Sequence, residues 1–223
     1  MRIAVLGGSQ GCARQMVAQS LAKDNSDQHT FVLLVRNPAT IDYDDSQRSR
    51  MTLVQGDALD PAAVRQVVSG ADVVVTSIGA SVTPTLKMTH PGLCEDGIKV
   101  LLGVLESMEQ RPRRLIAVST TGAIDGGEVP WLFRPLYHLA LAAPHADKKA
   151  MEERITSSCP IDWIILRPSL LTNGVLTGEY RTDTKRLVGY TISRQDVGHF
   201  MLNQCLDDDN AAKWLKHFVI ITY

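Results

Sequence analysis

Directly after the apolar run Ile3–Leu6 the chain reads GGSQGCA, from Gly7 to Ala13. An apolar strand, a tight glycine turn and a helix together make a cradle for a pyrophosphate, because the first amides of a helix have no partner inside it. Gly7 stands at the first position of a G-x-x-G-x-x-G spacing, but the second and third positions hold Gln10 and Ala13, and Gly8 and Gly11 are additional. Ala13 is compatible with close packing of helix on strand. Gln10 is the departure, since the second glycine lets backbone approach the phosphates and a side chain there must turn away or bond to them. The turn is expected to bind with the Gln10 amide along the phosphates; a plain strand-to-helix connection is the alternative.

Other chemistry-bearing residues follow the later apolar runs. Arg36 comes after FVLLV, about 20 residues beyond the glycine turn, where a ribose-binding group belongs. An acid there prefers NAD, whereas a guanidinium grips a 2′-phosphate with two parallel hydrogen bonds, so NADP(H) is the expected cofactor. Asp57, after TLVQ, is placed to accept from an adenine amino group. Gly79 in SIGAS lets backbone pass near the pyrophosphate and nicotinamide ribose, with Ser81 as a donor, and Ser119 and Thr120 close RLIAVS. Each residue alone also reads as an ordinary turn or solvated charge. Suitable residues at four successive strand ends form a pattern that chance would scatter.

The elements that must position these residues are legible as rhythm. Runs at 3–6, 31–35, 52–55, 72–77, 114–119 and 163–167 are continuously apolar rather than alternating, as in strands covered on both faces. Helical spacing recurs between them in GCARQMVAQSLAKD, DPAAVRQVVSG and CEDGIKVLLGVLESMEQ, with Asp60 an N-cap and Pro61 at the first helical position. This predicts one α/β domain over 1–223, a doubly wound parallel sheet with helices on both faces. The longer connections are 37–50 and 121–145, the second a lid on the ligand-facing edge or a packing segment built on Trp131, Phe133, Leu136 and Tyr137. At 223 residues and a net charge of -1, no global field favours nucleic acid or an anionic membrane. Four scattered cysteines and six histidines show no metal-ligand spacing, so no metal is expected and a reduced, cytoplasmic setting is. Neither a leader nor a membrane span is expected.

With those residues in view, the chain resembles the atypical short-chain dehydrogenases/reductases, in the NAD(P)-binding, NmrA-like group that includes the flavin and biliverdin reductases. The similarity runs over nearly the whole chain and is most specific from Leu176 to Asp209, where IS, an acidic residue and GHFML occur in matching order, followed by the final Tyr223. The resemblance implies a single Rossmann domain, NADPH binding and hydride transfer to a flat conjugated acceptor, with acceptor-side elements from 121–145 and 168–195. It places Gly7, Ser9, Gln10, Gly11 and Cys12 on the phosphate turn, Arg36 on the 2′-phosphate, Asp57 and Ala58 at the adenine, and Ile78 and Gly79 beside the ribose. Three positions depart from the group: Gln10 for glycine, Thr40 for a second arginine, and Ser169 for an active-site histidine.

None of the five tyrosines has a lysine four residues later, which removes the proton-donor pair of typical alcohol and ketone dehydrogenases. Flavins, quinones, tetrapyrroles and activated double bonds take a hydride with the proton arriving from water, and need a shaped dry pocket more than an acid. Ser119, Thr120 and Ser169 are the expected lining of that pocket. Lys148 in HADKKAMEER matches a lysine of similar members; Lys148 and Lys149 also read as surface charges paired with Glu152 and Glu153. His138 and His145 flank the region. A cofactor-binding sensor without turnover, and an isomerase or dehydratase on the same scaffold, are the alternatives to a reductase acting on a small planar molecule. Oligomeric state is not legible.

Overall fold

The computed structural model describes residues 1–23, 29–80, 88–123 and 142–223. Six strands fall on the six apolar runs: β1 (Arg2–Leu6), β2 (Thr30–Val35), β3 (Met51–Gln55), β4 (Val73–Thr76), β5 (Arg114–Val118) and β6 (Asp162–Pro168). They join β8 (Arg181–Asp183) and β10 (His217–Thr222) in one eight-stranded sheet of order β3-β2-β1-β4-β5-β6-β10-β8. All pairings in it are parallel except β8 on β10, so the expected parallel sheet carries one short antiparallel edge strand. The order reverses between β1 and β4, and the crevice at the carboxyl ends of those strands is the switch point where such sheets bind ligands.

Helices cover both faces, which is why the central strands carry apolar residues on both. Ile3 and Val5 of β1 pack with Met16 and Val17 of α1 (Gly11–Ala22) and Phe200 of α6 (Arg194–Phe200). Ala4 and Leu6, one residue out of phase, pack on the other face with Val64 of α3 (Pro61–Val68), Leu101 of α4 (Leu93–Glu106) and Ile155 of α5 (Ala142–Ser158). Asp60 caps α3 as expected, accepting from the Ala62 amide at 2.9 Å. The connection 37–50 holds a 3-10 turn at Pro38–Thr40 and a short α2 (Asp45–Arg48) opened by an Asp44–Gln47 capping box.

Beyond β6 the chain builds a small lobe. Strands β7 (Leu170–Thr172) and β9 (Thr191–Ser193) pair in parallel as a separate two-stranded sheet, α6 follows, and a last α7 (Asp208–Ala211) precedes β10. The buried Asp196 carboxylate holds the lobe together. It accepts from the Thr177 and Gly178 amides at 3.0 and 2.8 Å and from the hydroxyls of Thr177, Ser193 and Tyr223 at 3.0, 2.9 and 2.5 Å. Helices α6 and α1 cross in backbone contact: a Cβ on Gly198 would stand 2.7 Å from the Met16 nitrogen. The four cysteines are unpaired. No helix among the described residues is long and apolar enough to cross a membrane.

Candidate functional site

The glycine turn resolves the question of position 10. Gly7 takes φ +82°, and a Cβ on it would lie 2.8 Å from the Ser77 carbonyl carbon and oxygen, so the β1–β4 crevice closes only on a glycine. Gly11 takes φ +71° with open space where a Cβ would stand. Between them Gln10 is extended, at φ -155° and ψ 177°, which any residue adopts. The left-handed position has therefore moved to Gly11, and the exposed Gln10 side chain costs the turn no strain. Gln10 precedes α1 without a side-chain cap, and the first turn carries no acidic residue. The leading amides of α1 are left for an anion.

One cleft at the strand ends gathers most of the expected cofactor residues. Gly7, Ser9 and Gln10 form one side, Arg36, Asp57 and Ala58 another, and Ile78 and Gly79 a third. Arg36 is exposed at the end of β2, and its guanidinium has no hydrogen-bond or ion-pair partner among the described residues. Thr40 gives its hydroxyl to the Asn37 carbonyl at 2.7 Å. Asp57 accepts the Leu59 amide on one carboxylate oxygen at 2.9 Å, leaving the other for a ligand. Gly79 is exposed, and a Cβ there would meet nothing within 4 Å.

Lys148 comes to this crevice from α5. Its ammonium donates to the Ile78 and Val118 carbonyls, both at 2.7 Å, and so ties the ends of β4 and β5 together. Two buried acids aim it. Asp147 accepts the Cys94 and Glu95 amides at 3.0 and 2.9 Å, capping α4 from the neighbouring helix. Glu152, one turn beyond Lys148 and 1% exposed, holds Arg167 of β6 by two bonds of 3.0 and 2.8 Å, and that guanidinium stacks 4.0 Å over Phe218. The surface-pair expectation thus fits Lys149, which meets Glu153 at 3.8 Å, and fails for Lys148. Asp147 went unread in the sequence, and Glu152 was read there only as a surface partner of Lys148, a role that its bonds to Arg167 replace.

The remaining expected residues divide. Ser119, 4% exposed, has a buried hydroxyl with no protein partner among the described residues, and the Thr120 hydroxyl meets the Thr121 carbonyl at 3.2 Å. Ser169 departs from expectation: it is 2% exposed and its hydroxyl is committed to Thr222 Oγ1 at 2.8 Å, outside the cleft. The Cys12 thiol is likewise in the core, where burial pushes it up to about 12 against the pull of the Arg194 and Lys148 cations; only its backbone stays with the turn. His145 stands in the first turn of α5. Ser81, His138 and residues 124–141 of the expected lid, including Trp131, Phe133, Leu136 and Tyr137, lie outside the described residues.

A sequence family described as NAD(P)H-binding matches residues 7–209. The chain is 30% identical to the reductase pytE of Aspergillus terreus, over 78% of each chain. It is 28% identical to the oxidase pynE of Aspergillus niger, over 99% of this chain and 98% of that one. A short-chain dehydrogenase/reductase of Veillonella parvula, solved in complex with NADP, superposes with a TM-score of 0.78 at 19% identity, over 100% of this chain and 94% of that one. ChuY, an anaerobilin reductase of Escherichia coli O157:H7, superposes with a TM-score of 0.72 at 18% identity, over 100% and 97%. At these identities the two structures share the fold.

Proposed function

Because the chain belongs to the NAD(P)H-binding family, we propose that it is a reductase preferring NADP(H) and passing hydride to a planar conjugated acceptor: a flavin, quinone, tetrapyrrole or activated double bond. The observation that carries the nucleotide preference is the unpartnered Arg36 guanidinium at the cleft, where a carboxylate would select NAD. The bound cofactor supplies the hydride. The chain supplies placement. Gly7 and the leading amides of α1 hold the pyrophosphate, Arg36 the 2′-phosphate, and the free oxygen of Asp57 the adenine. Lys148 fixes the strand ends beside the nicotinamide half and keeps one N–H beyond its two carbonyl bonds; Ser119 keeps an unused hydroxyl.

The acceptor side is the segment 168–195. Leu170, Val175, Leu176 and Val188 are 50%, 74%, 42% and 41% exposed there, an apolar surface that a flat, poorly hydrated molecule would cover. With its hydroxyl committed to Thr222, Ser169 offers no proton to the acceptor, and the proton comes from water. Titration of the protein with NADPH and NADH at one salt concentration tests the preference. NADPH is expected to bind tighter by about 1 to 3 kcal/mol, toward the lower figure because Thr40 adds no second cation, and Arg36→Gln should abolish the difference. Equal affinities would remove the NADP reading. An acceptor screen following NADPH oxidation and product together tests turnover: binding without turnover favours the sensor, and conversion without cofactor the isomerase or dehydratase.

A further inference from the structure

The crossing of α1 and α6 brings a cation to the phosphate turn that the sequence pattern did not mark. Gly198 lies against Met16 in backbone contact, and just past the C-terminal ends of both helices Asn203 Oδ1 accepts from Lys23 Nζ at 2.9 Å. The two helices thus run side by side in one direction, and stepping back one turn from the crossing sets Arg194, the first residue of α6, opposite Cys12 in the first turn of α1. The Arg194 cation acts on the Cys12 thiol, in keeping with that placement.

Arg194 is partly buried and held at one corner. Its Nη1 donates to the Leu171 carbonyl at 3.3 Å and to Asn173 Oδ1 at 2.8 Å. No bond to Nε or Nη2 occurs among the described residues, and no carboxylate among them pairs with the guanidinium. Asp196, two residues on, is taken up by the Thr177, Gly178, Ser193 and Tyr223 donors. A partly desolvated guanidinium with one anchored corner and an open two-donor edge, beside an uncapped helix start that has no acidic residue, is built to receive an oxyanion.

We propose that Arg194 holds the pyrophosphate of the bound dinucleotide together with the first amides of α1, through its Nε–Nη2 edge. The assignment rests on the cofactor reading above. It gives the two cations different anions to hold: Arg36 at the end of β2 reads the 2′-phosphate, while Arg194 answers to the pyrophosphate that NADH and NADPH share.

Arg194→Gln, Arg194→Lys and Arg36→Gln are titrated with both nucleotides at low and raised salt. For Arg194→Gln the Kd values for NADPH and NADH are expected to rise by the same factor, about tenfold, with the preference between them unchanged and the salt dependence of binding flattened. Arg194→Lys, which keeps the charge but not the two-donor edge, should show a smaller rise, again equal for both. It carries the comparison if the glutamine variant does not fold by thermal melting. Arg36→Gln should instead weaken NADPH alone. Kd values within about twofold of the unaltered protein for both Arg194 variants would overturn the assignment, as would a loss confined to NADPH. Unchanged nucleotide affinity with a raised KM for a carboxylate-bearing acceptor would overturn it too, giving Arg194 to the acceptor. If the unaltered protein binds neither nucleotide, the cofactor reading falls along with it; binding that the substitutions leave intact removes the Arg194 assignment alone.

Discussion

Gln10 is extended, and that decides what its replacement would do. Returning a glycine to this position adds no conformational freedom the turn needs and removes one exposed amide, so Gln10→Gly is expected to change NADPH affinity by roughly 1 kcal/mol either way. Gly7→Val is expected to abolish binding, because its Cβ would enter the Ser77 carbonyl and its φ of +82° is foreign to a β-branched residue. Fluorescence titration of both variants checks the pair; a large loss in Gln10→Gly would mean that the glutamine makes more than one bond to the phosphates. The spacing of glycines showed that something was displaced at this turn, but a dihedral angle has no letter, and only the backbone reveals Gly11 as the residue carrying the displaced demand. Ser169 was unreadable for a related reason. Its partner Thr222 lies 53 residues away, so carrying a position over by its neighbours could not see where the hydroxyl goes.

At the scale of the element, α5 turns a sequence ambiguity into a fixed orientation. Lys148–Glu152 and Lys149–Glu153 have the same spacing and composition, and helical periodicity cannot tell which pair faces inward. Arg167 on β6 and the amides that open α4 make the choice, by taking Glu152 and Asp147 into the interior. Removing one member of a buried pair leaves the other charge uncompensated, so Glu152→Gln is expected to cost about 3 to 5 kcal/mol in urea unfolding. Lys149→Ala should stay within about 0.5 kcal/mol of the unaltered protein. Comparable losses in the two variants would show that the azimuth of α5 is set by something other than the Glu152–Arg167 pair.

Across the whole molecule the first six strands were legible because five of them are buried on both faces and the edge strand β3 still carries Leu53 and Val54, whereas β7, β8 and β9 are three residues long, too short to carry a periodicity. What fixes their lobe is Asp196. Burial raises its pKa, but the bonds from Tyr223, Gly178, Ser193 and Thr177 outweigh burial and leave it below the ordinary carboxylate value. A carboxyl lowered on folding stabilises in full above its unfolded pKa, about 3.9, and loses that contribution as acid carries the pH down through the lower folded value. Asp196→Asn should therefore destabilise by at least about 2 kcal/mol at neutral pH, and by progressively less as the pH falls below about 4. Thermal melts of both proteins across that range check it, and a deficit that does not shrink with acid would place the loss in shape rather than charge. The backbone contact of Gly198 with Met16 has a further consequence for anyone building hybrids of this scaffold. At the crossing itself α6 presents no side chain to be trimmed or refilled, so a grafted C-terminal lobe would seat on a foreign nucleotide-binding half only if the recipient lets backbone approach as closely there, and the donor segment must extend through Gly198.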